Sequence, residues 1–212
     1  MIWNNIKAII FDFDDTLIHS GRSVIEAIYA TAEKMKLPKP SEEAIIRLRG
    51  IPLFETVQAL WPFADTERAV ETYLRVYSDD KVTLIDGVNE TLLKLKNNGL
   101  ELHILTSKGK ATLHRHISHT RLQAGLFTSI IGADMIEYHK PDGRVFNTLL
   151  QDNSPIGLIY VGDSLHDFMA AKNAGIEFIA VLTGGEKEES FRKNGARIVL
   201  PSVRELKAFP KI

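Results

Sequence analysis

The chain contains no cysteine in 212 residues. That excludes disulfides, thiol nucleophiles and thiolate metal sites. It also lacks an excess of either charge: 26 Lys and Arg face 27 Asp and Glu, a formal net charge of -1. No global basic field is available to hold nucleic acid or an anionic membrane. No apolar run approaches the roughly 20 residues a membrane helix needs. The apolar stretch within Met1 to Phe11 is short and quickly followed by aspartates, unlike a signal peptide. Internal repeats and low-complexity tracts are absent as well. A soluble cytoplasmic protein is the expectation, monomeric or homodimeric. What remains is an ordinary globular balance, 44% hydrophobic and 25% charged, with enough apolar material for a core.

Apolar runs rich in β-branched and aromatic residues mark candidate strands. They lie at Ile6 to Phe13, Glu101 to Thr106, Ser129 to Gly132, Leu158 to Gly162, Phe178 to Leu182 and Arg197 to Leu200. Between the later runs, helical patterns cover Val88 to Asn97, Ala111 to Leu122, Arg144 to Gln151 and Ser164 to Asn173. Such alternation predicts an α/β fold, a doubly wound parallel sheet covered on both faces. The stretch after the first strand breaks the rhythm. Helical patterns alone fill Val24 to Lys36, Ser41 to Arg49, Leu53 to Trp61 and Thr66 to Ser78. That is too much chain for a normal crossover. It predicts an inserted α-helical cap domain over residues 20–81, with residues 1–19 and 82–212 forming the α/β core. Trp61, Phe54 and Tyr73 are expected to form the insert's small core.

In a parallel α/β sheet, ligands bind beyond the carboxyl ends of the strands. The residues expected there are rich in aspartate. The first strand runs into Asp12-Phe13-Asp14-Asp15-Thr16, the second into Thr106-Ser107, and the run at Leu158 into Gly162-Asp163-Ser164, with Asp167 one turn on. His139-Lys140-Pro141-Asp142 precedes that strand. Asp12, Asp14, Asp15, Asp163 and Asp167 cannot all be ionised side by side without a cation. All-oxygen donors suit Mg²⁺, a hard ion that binds few carboxylates together with substrate phosphate. A carboxylate is a competent phosphoryl-transfer nucleophile. A nearby hydroxyl and lysine would neutralise the transferring group.

Asp12-x-Asp14-x-Thr16, Thr106, Lys140-Pro141 and Gly162-Asp163-Ser164-x-x-Asp167, in this order, resemble the four motifs of the haloacid dehalogenase (HAD) superfamily. The resemblance is greatest to its phosphoglycolate phosphatase-like subgroup, whose typical first motif runs FDFDGTLIDS. Here Asp15 replaces the commoner glycine and His19 a common aspartate. The resemblance implies a Rossmann-like core, a helical cap and hydrolysis of a small phosphorylated metabolite. It implies that Asp12 attacks phosphorus, forming aspartyl phosphate, and that Asp14 exchanges protons with the leaving oxygen and then with water. Thr106 and Lys140 would bind the phosphoryl group, with Ser107 assisting. Asp12, Asp163 and the backbone carbonyl of Asp14 would hold Mg²⁺, and Asp167 would orient the ion's waters. A phosphomutase acting on a sugar phosphate shares every one of these residues. A dehalogenase lacks the aspartate two positions after the nucleophile, so Asp14 argues against it. A phospho-acceptor regulatory domain is shorter and has no helical insert.

Other features read more simply. Arg49, like Arg47, falls in a cap loop where it could face substrate, although surface arginine is the default. His114, Arg115, His116 and His119 lie on one predicted helix without nearby acids in sequence and read as a solvated face. Glu186 to Glu189 reads as a solvated helix start.

Overall fold

The computed structural model describes residues 6–150 and 155–208. Its centre is a six-stranded, wholly parallel sheet in the order β5-β4-β1-β6-β7-β8. The strands are β1 (Ala8–Phe11), β4 (Glu101–Leu105), β5 (Ser129–Ile131), β6 (Leu158–Gly162), β7 (Glu177–Val181) and β8 (Ile198–Leu200). β1 is buried at every position because helices cover both faces. On one face α5 (Val88–Asn97) and α6 (Lys110–Thr120) pack Leu92, Leu95 and Leu113 against Ile9, Phe11 and Ile104. On the other, α7 (Leu165–Ala174) and α8 (Glu188–Asn194) bring Phe168, Ala171 and Phe191 to Ile10, Tyr160 and Phe178.

The chain leaves β1 towards β4 on one side and leaves β6 towards β7 on the other. The crevice beyond β1 and β6 is therefore a topological switch point. Register places Phe11 beside both Ile104 and Val161. Asp12, Thr106 and Asp163, each at most two residues further on, consequently emerge together at this edge.

Four helices lie between β1 and β4: α1 (Gly21–Met35), α2 (Glu42–Arg47), α3 (Leu53–Leu60) and α4 (Thr66–Val76). Their starts have local causes. The Ser41 side chain accepts from Ala44 N–H and the Asp65 side chain from Arg68 N–H. α1 packs on α4 and α4 on α3, around a separate cluster that includes Ile28, Ile45, Val57, Trp61 and Tyr73. Trp61 is fully buried and its indole N–H donates to the Pro38 carbonyl at 2.8 Å. Phe54 does not join them: it is 45% exposed. The inward face of α3 is carried instead by Leu53, Thr56, Val57 and Leu60.

Two further departures from the sequence reading are local. The linkers into and out of the insert pair as a short antiparallel ribbon, β2 (Ile18–His19) with β3 (Thr83–Leu84). Two-residue strands carry no periodicity to detect. The helix expected over Arg144 to Gln151 is instead a 3₁₀ turn at Gly143–Phe146; Gln151 itself lies outside the described residues. The Asp142 carboxylate accepts from Arg144 N–H at 2.8 Å, and this local bond favours a tight turn. Among the described residues no helix is long and apolar enough to cross a membrane.

Candidate active site

The Asp12 N–H donates to the Val161 carbonyl at 2.8 Å, which extends the ladder one residue beyond β1 and fixes the carboxylate at the sheet edge. One oxygen each from Asp12, Asp163 and Asp167 lie within 4.8 Å of one another, all three residues buried. Lys140 reaches them from its own loop. Its Nζ donates to Asp12 Oδ1 at 2.7 Å and to Asp167 Oδ1 at 2.6 Å. Asp167 is fixed further by the Tyr160 hydroxyl at 2.8 Å and the Ser164 N–H at 3.0 Å. Ser164 Oγ in turn accepts from the Asp167 N–H at 3.1 Å, a capping box that starts α7. Asp163 has the Thr16 hydroxyl at 3.1 Å. Gly184, on the loop after β7, must be glycine-like in size, since a Cβ there would lie 2.0 Å from Asp163 Oδ2.

Of these three buried carboxylates, Asp12 and Asp167 share the Lys140 ammonium. Burial raises the Asp12 pKa to about 7; Lys140 opposes that shift and Asp167 reinforces it. Burial, with repulsion from Asp167, pushes Asp163 well above the usual carboxylate range. Lys140 is pulled down by burial but held above its ordinary value by Asp12 and Asp167. A cluster with this surplus of negative oxygen fits a hard cation, which would favour the charged form of Asp12 and Asp163.

Asp14 sits apart from that cluster. Its Oδ1 accepts from Ser20 Oγ at 2.5 Å and pairs with Lys108 Nζ at 3.1 Å. Burial acts to raise its pKa, but Lys108 and the Ser20 hydrogen bond outweigh burial and leave it below the ordinary value. Thr106 is buried at the end of β4, where its Oγ1 accepts from Lys108 N–H at 3.2 Å. Ser107 Oγ donates to the Gly50 carbonyl at 2.6 Å, so it ties the core to the insert. Arg49 reaches the same edge, its Nη1 2.8 Å from Asp15 Oδ2. The structure thus brings Asp12, Asp163, Asp167 and Lys140 into contact and places Asp14, Thr106, Ser107 and Arg49 around them. Lys108, Ser20, Tyr160 and Gly184 were not anticipated. Lys108 lies two positions after Thr106 on the same loop, a spacing that could have flagged it.

On α6, His114, Arg115 and His119 are exposed, as the reading of a solvated face expects, but His116 corrects it. His116 is fully buried. With Leu113 and Ile117 it forms the i, i+3, i+4 inner stripe of the helix. Its ring stacks on Tyr77 at 5.5 Å, its Nε2 lies 2.9 Å from Asp79 Oδ1, and Arg115 makes a bidentate pair with the same carboxylate. The acids missing near this helix in sequence arrive from the segment after α4.

Burial, helped by the Lys108 charge, lowers the His116 pKa to about 4, and its Nδ1 is buried without a partner. Above pH 6.5 the ring is neutral in folded and unfolded chains. Below it the unfolded chain binds a proton that the folded chain refuses until about pH 4. Stability from this residue is therefore present above 6.5 and lost as pH falls through that window, by on the order of 2 kcal/mol. Urea midpoints measured from pH 7 to 4 should fall more steeply for wild type than for His116→Gln. Parallel curves would contradict this origin.

A carboxylate-lined edge at the topological switch point of a parallel α/β sheet is where such folds bind their ligands. Residues 9–181 match the family model of the haloacid dehalogenase-like hydrolases, and the chain belongs to that family. Pyrophosphatase PpaX of Bacillus velezensis is 30% identical over 184 residues, 83% of each chain. Among solved structures, a provisionally assigned haloacid dehalogenase-like hydrolase from Bacteroides fragilis superposes with a TM-score of 0.85 at 23% identity. It covers 95% of this chain and 99% of that one. A provisionally assigned beta-phosphoglucomutase from Bacteroides vulgatus gives a TM-score of 0.83 at 20% identity, covering 96% and 87%.

Proposed function

We propose that the protein is a Mg²⁺-dependent phosphatase that hydrolyses a small phosphomonoester through a phosphoryl group carried on Asp12. Residues 20–81 act as its cap, and residues 1–19 and 82–212 as its core. The observation that carries this reading is the buried Asp12–Asp163–Asp167 cluster, in which Lys140 pairs with Asp12 and Asp167. Mg²⁺ held by Asp12, Asp163 and the Asp14 carbonyl would supply positive charge against the phosphoryl oxygens.

In the first step an Asp12 carboxylate oxygen bonds to phosphorus while the ester P–O bond breaks. Asp14 gives its proton to the departing oxygen. As held by Lys108 it is a carboxylate; a phosphate anion bound beside it raises its pKa and lets it take up that proton. In the second step a water attacks the phosphorus of the acyl phosphate. Asp14 takes the water's proton, the bond to Asp12 breaks, and inorganic phosphate leaves. Lys140 and Thr106 bind the phosphoryl oxygens, and Asp167 keeps Lys140 aimed at Asp12.

An aryl phosphate assay tests the reading. Turnover should fall at least about 10²-fold with a chelator and return with added Mg²⁺, while Ca²⁺, with longer and looser coordination, should inhibit. Full turnover in chelator would refute the metal assignment. The similarity to a pyrophosphatase places pyrophosphate in the same substrate screen. Conversion of glucose 1-phosphate to the 6-phosphate without phosphate release would identify a mutase instead.

A further inference from the structure

We propose that Asp15 is a specificity-determining residue: it occupies Arg49 and so sets the site against phosphate esters that carry a second anionic group. The inference rests on the phosphatase reading above. Asp15 has φ 53, in the left-handed region where a side chain other than Gly, Asn or Asp is strained. Its bonds explain what holds it. Oδ1 accepts from the Ser20 N–H at 3.0 Å and the Gly21 N–H at 3.1 Å, and Oδ2 faces Arg49 Nη1 at 2.8 Å.

Both side chains are enclosed, 8% exposed for Asp15 and 17% for Arg49. A Cβ at Gly21 would lie 2.0 Å from Arg49 Nη2, so a side chain at the start of α1 would have to displace the guanidinium from where it now sits. The loop carrying Arg49 is seated on the core at two points. Gly50 accepts from Ser107, and a Cβ on Gly50 would come within 2.6 Å of Ser164 Oγ. Arg49 is thereby delivered to the edge that holds Asp12 and Asp163. Arg47, two residues earlier, pairs with Glu43 in solvent instead.

A guanidinium at such an edge is a bidentate receptor for phosphate or carboxylate. Here the receptor is already filled. A substrate whose leaving part bears a second phosphate or carboxylate must displace the Asp15 carboxylate. That strands a buried anion with two backbone N–H donors and no cation, which is costly. A substrate with an uncharged leaving part meets no such barrier.

Binding measured by calorimetry in excess Mg²⁺, with methylenediphosphonate as the doubly anionic probe and inorganic phosphate as the reference, separates this idea from the phosphatase reading. Neither probe is turned over. Asp15→Asn keeps the left-handed conformation and an acceptor for Ser20 and Gly21, but turns an N–H donor towards Arg49. It should raise the ratio of diphosphonate to phosphate affinity by about tenfold. Asp15→Gly, suited to the same φ, should do likewise. Arg49→Met combined with either should cancel the gain. Ratios within twofold of wild type in both single variants, or a gain that survives Arg49→Met, would overturn the proposal. Absence of aryl phosphate hydrolysis in wild type would instead count against the phosphatase reading.

Discussion

Asp12→Asn should leave a folded protein without measurable phosphatase turnover, a loss of at least about 10⁴-fold. The amide has no anionic oxygen to attack phosphorus. The fold should survive because Lys140, the cation most directly affected, keeps Asp167 at 2.6 Å. Burial holds the Asp12 pKa above its ordinary value, so ionising this carboxylate works against folding when no cation is bound. The neutral amide removes that opposition. Mass spectrometry of acid-quenched protein should find a phosphoryl group on Asp12 in wild type and none in the variant. A phosphoryl group on another residue, or a variant with the wild-type rate, would overturn the proposed chemistry.

Asp14→Asn should behave differently, because it retains the nucleophile and the backbone carbonyl but removes the proton carrier. Loss of general acid–base help is worth about 10²- to 10⁴-fold. The deficit should approach the upper value for an alkyl phosphate, whose leaving oxygen needs a proton. It should be smaller for an activated aryl phosphate, whose phenolate leaves without one. Phosphoenzyme should also accumulate with the aryl substrate, since the attacking water has lost its base. Asn at this position still accepts a hydrogen bond from Ser20 while forfeiting the ion pair to Lys108. Equal losses on both substrates would mean that Asp14 shapes the site rather than moving protons.

Much of this site is visible along the chain because its parts are local. The β-branched run at Ala8–Phe11 is apolar throughout because both sheet faces are covered, and the aspartates follow where it leaves the sheet. Asp163 and Asp167 bracket a capping box, which has a spacing of its own. Lys108, Ser20 and Tyr160 have no such signature. Each matters through one contact with a residue distant in sequence or on another element: Lys108 with Asp14, Ser20 with Asp14 across a turn, Tyr160 with Asp167. His116 shows the converse error. A polar side chain on a helix reads as solvated, and nothing near it in sequence reveals that Asp79 and Tyr77 will close over it.

Local pattern carries the alternation of strands and helices, the helical stretch after β1 and the clustering of carboxylates at strand ends. These follow from burial and backbone chemistry that each segment expresses by itself. The seating of the insert is of another kind. Arg49 meets Asp15, and Ser107 meets Gly50, only because four helices pack on their own core and present the 48–50 loop to the sheet edge. Which carboxylate receives a cation, and which is left to await one, depends on those long-range encounters. Charge acts over distance in space, and distance in space is what a linear order of residues does not specify.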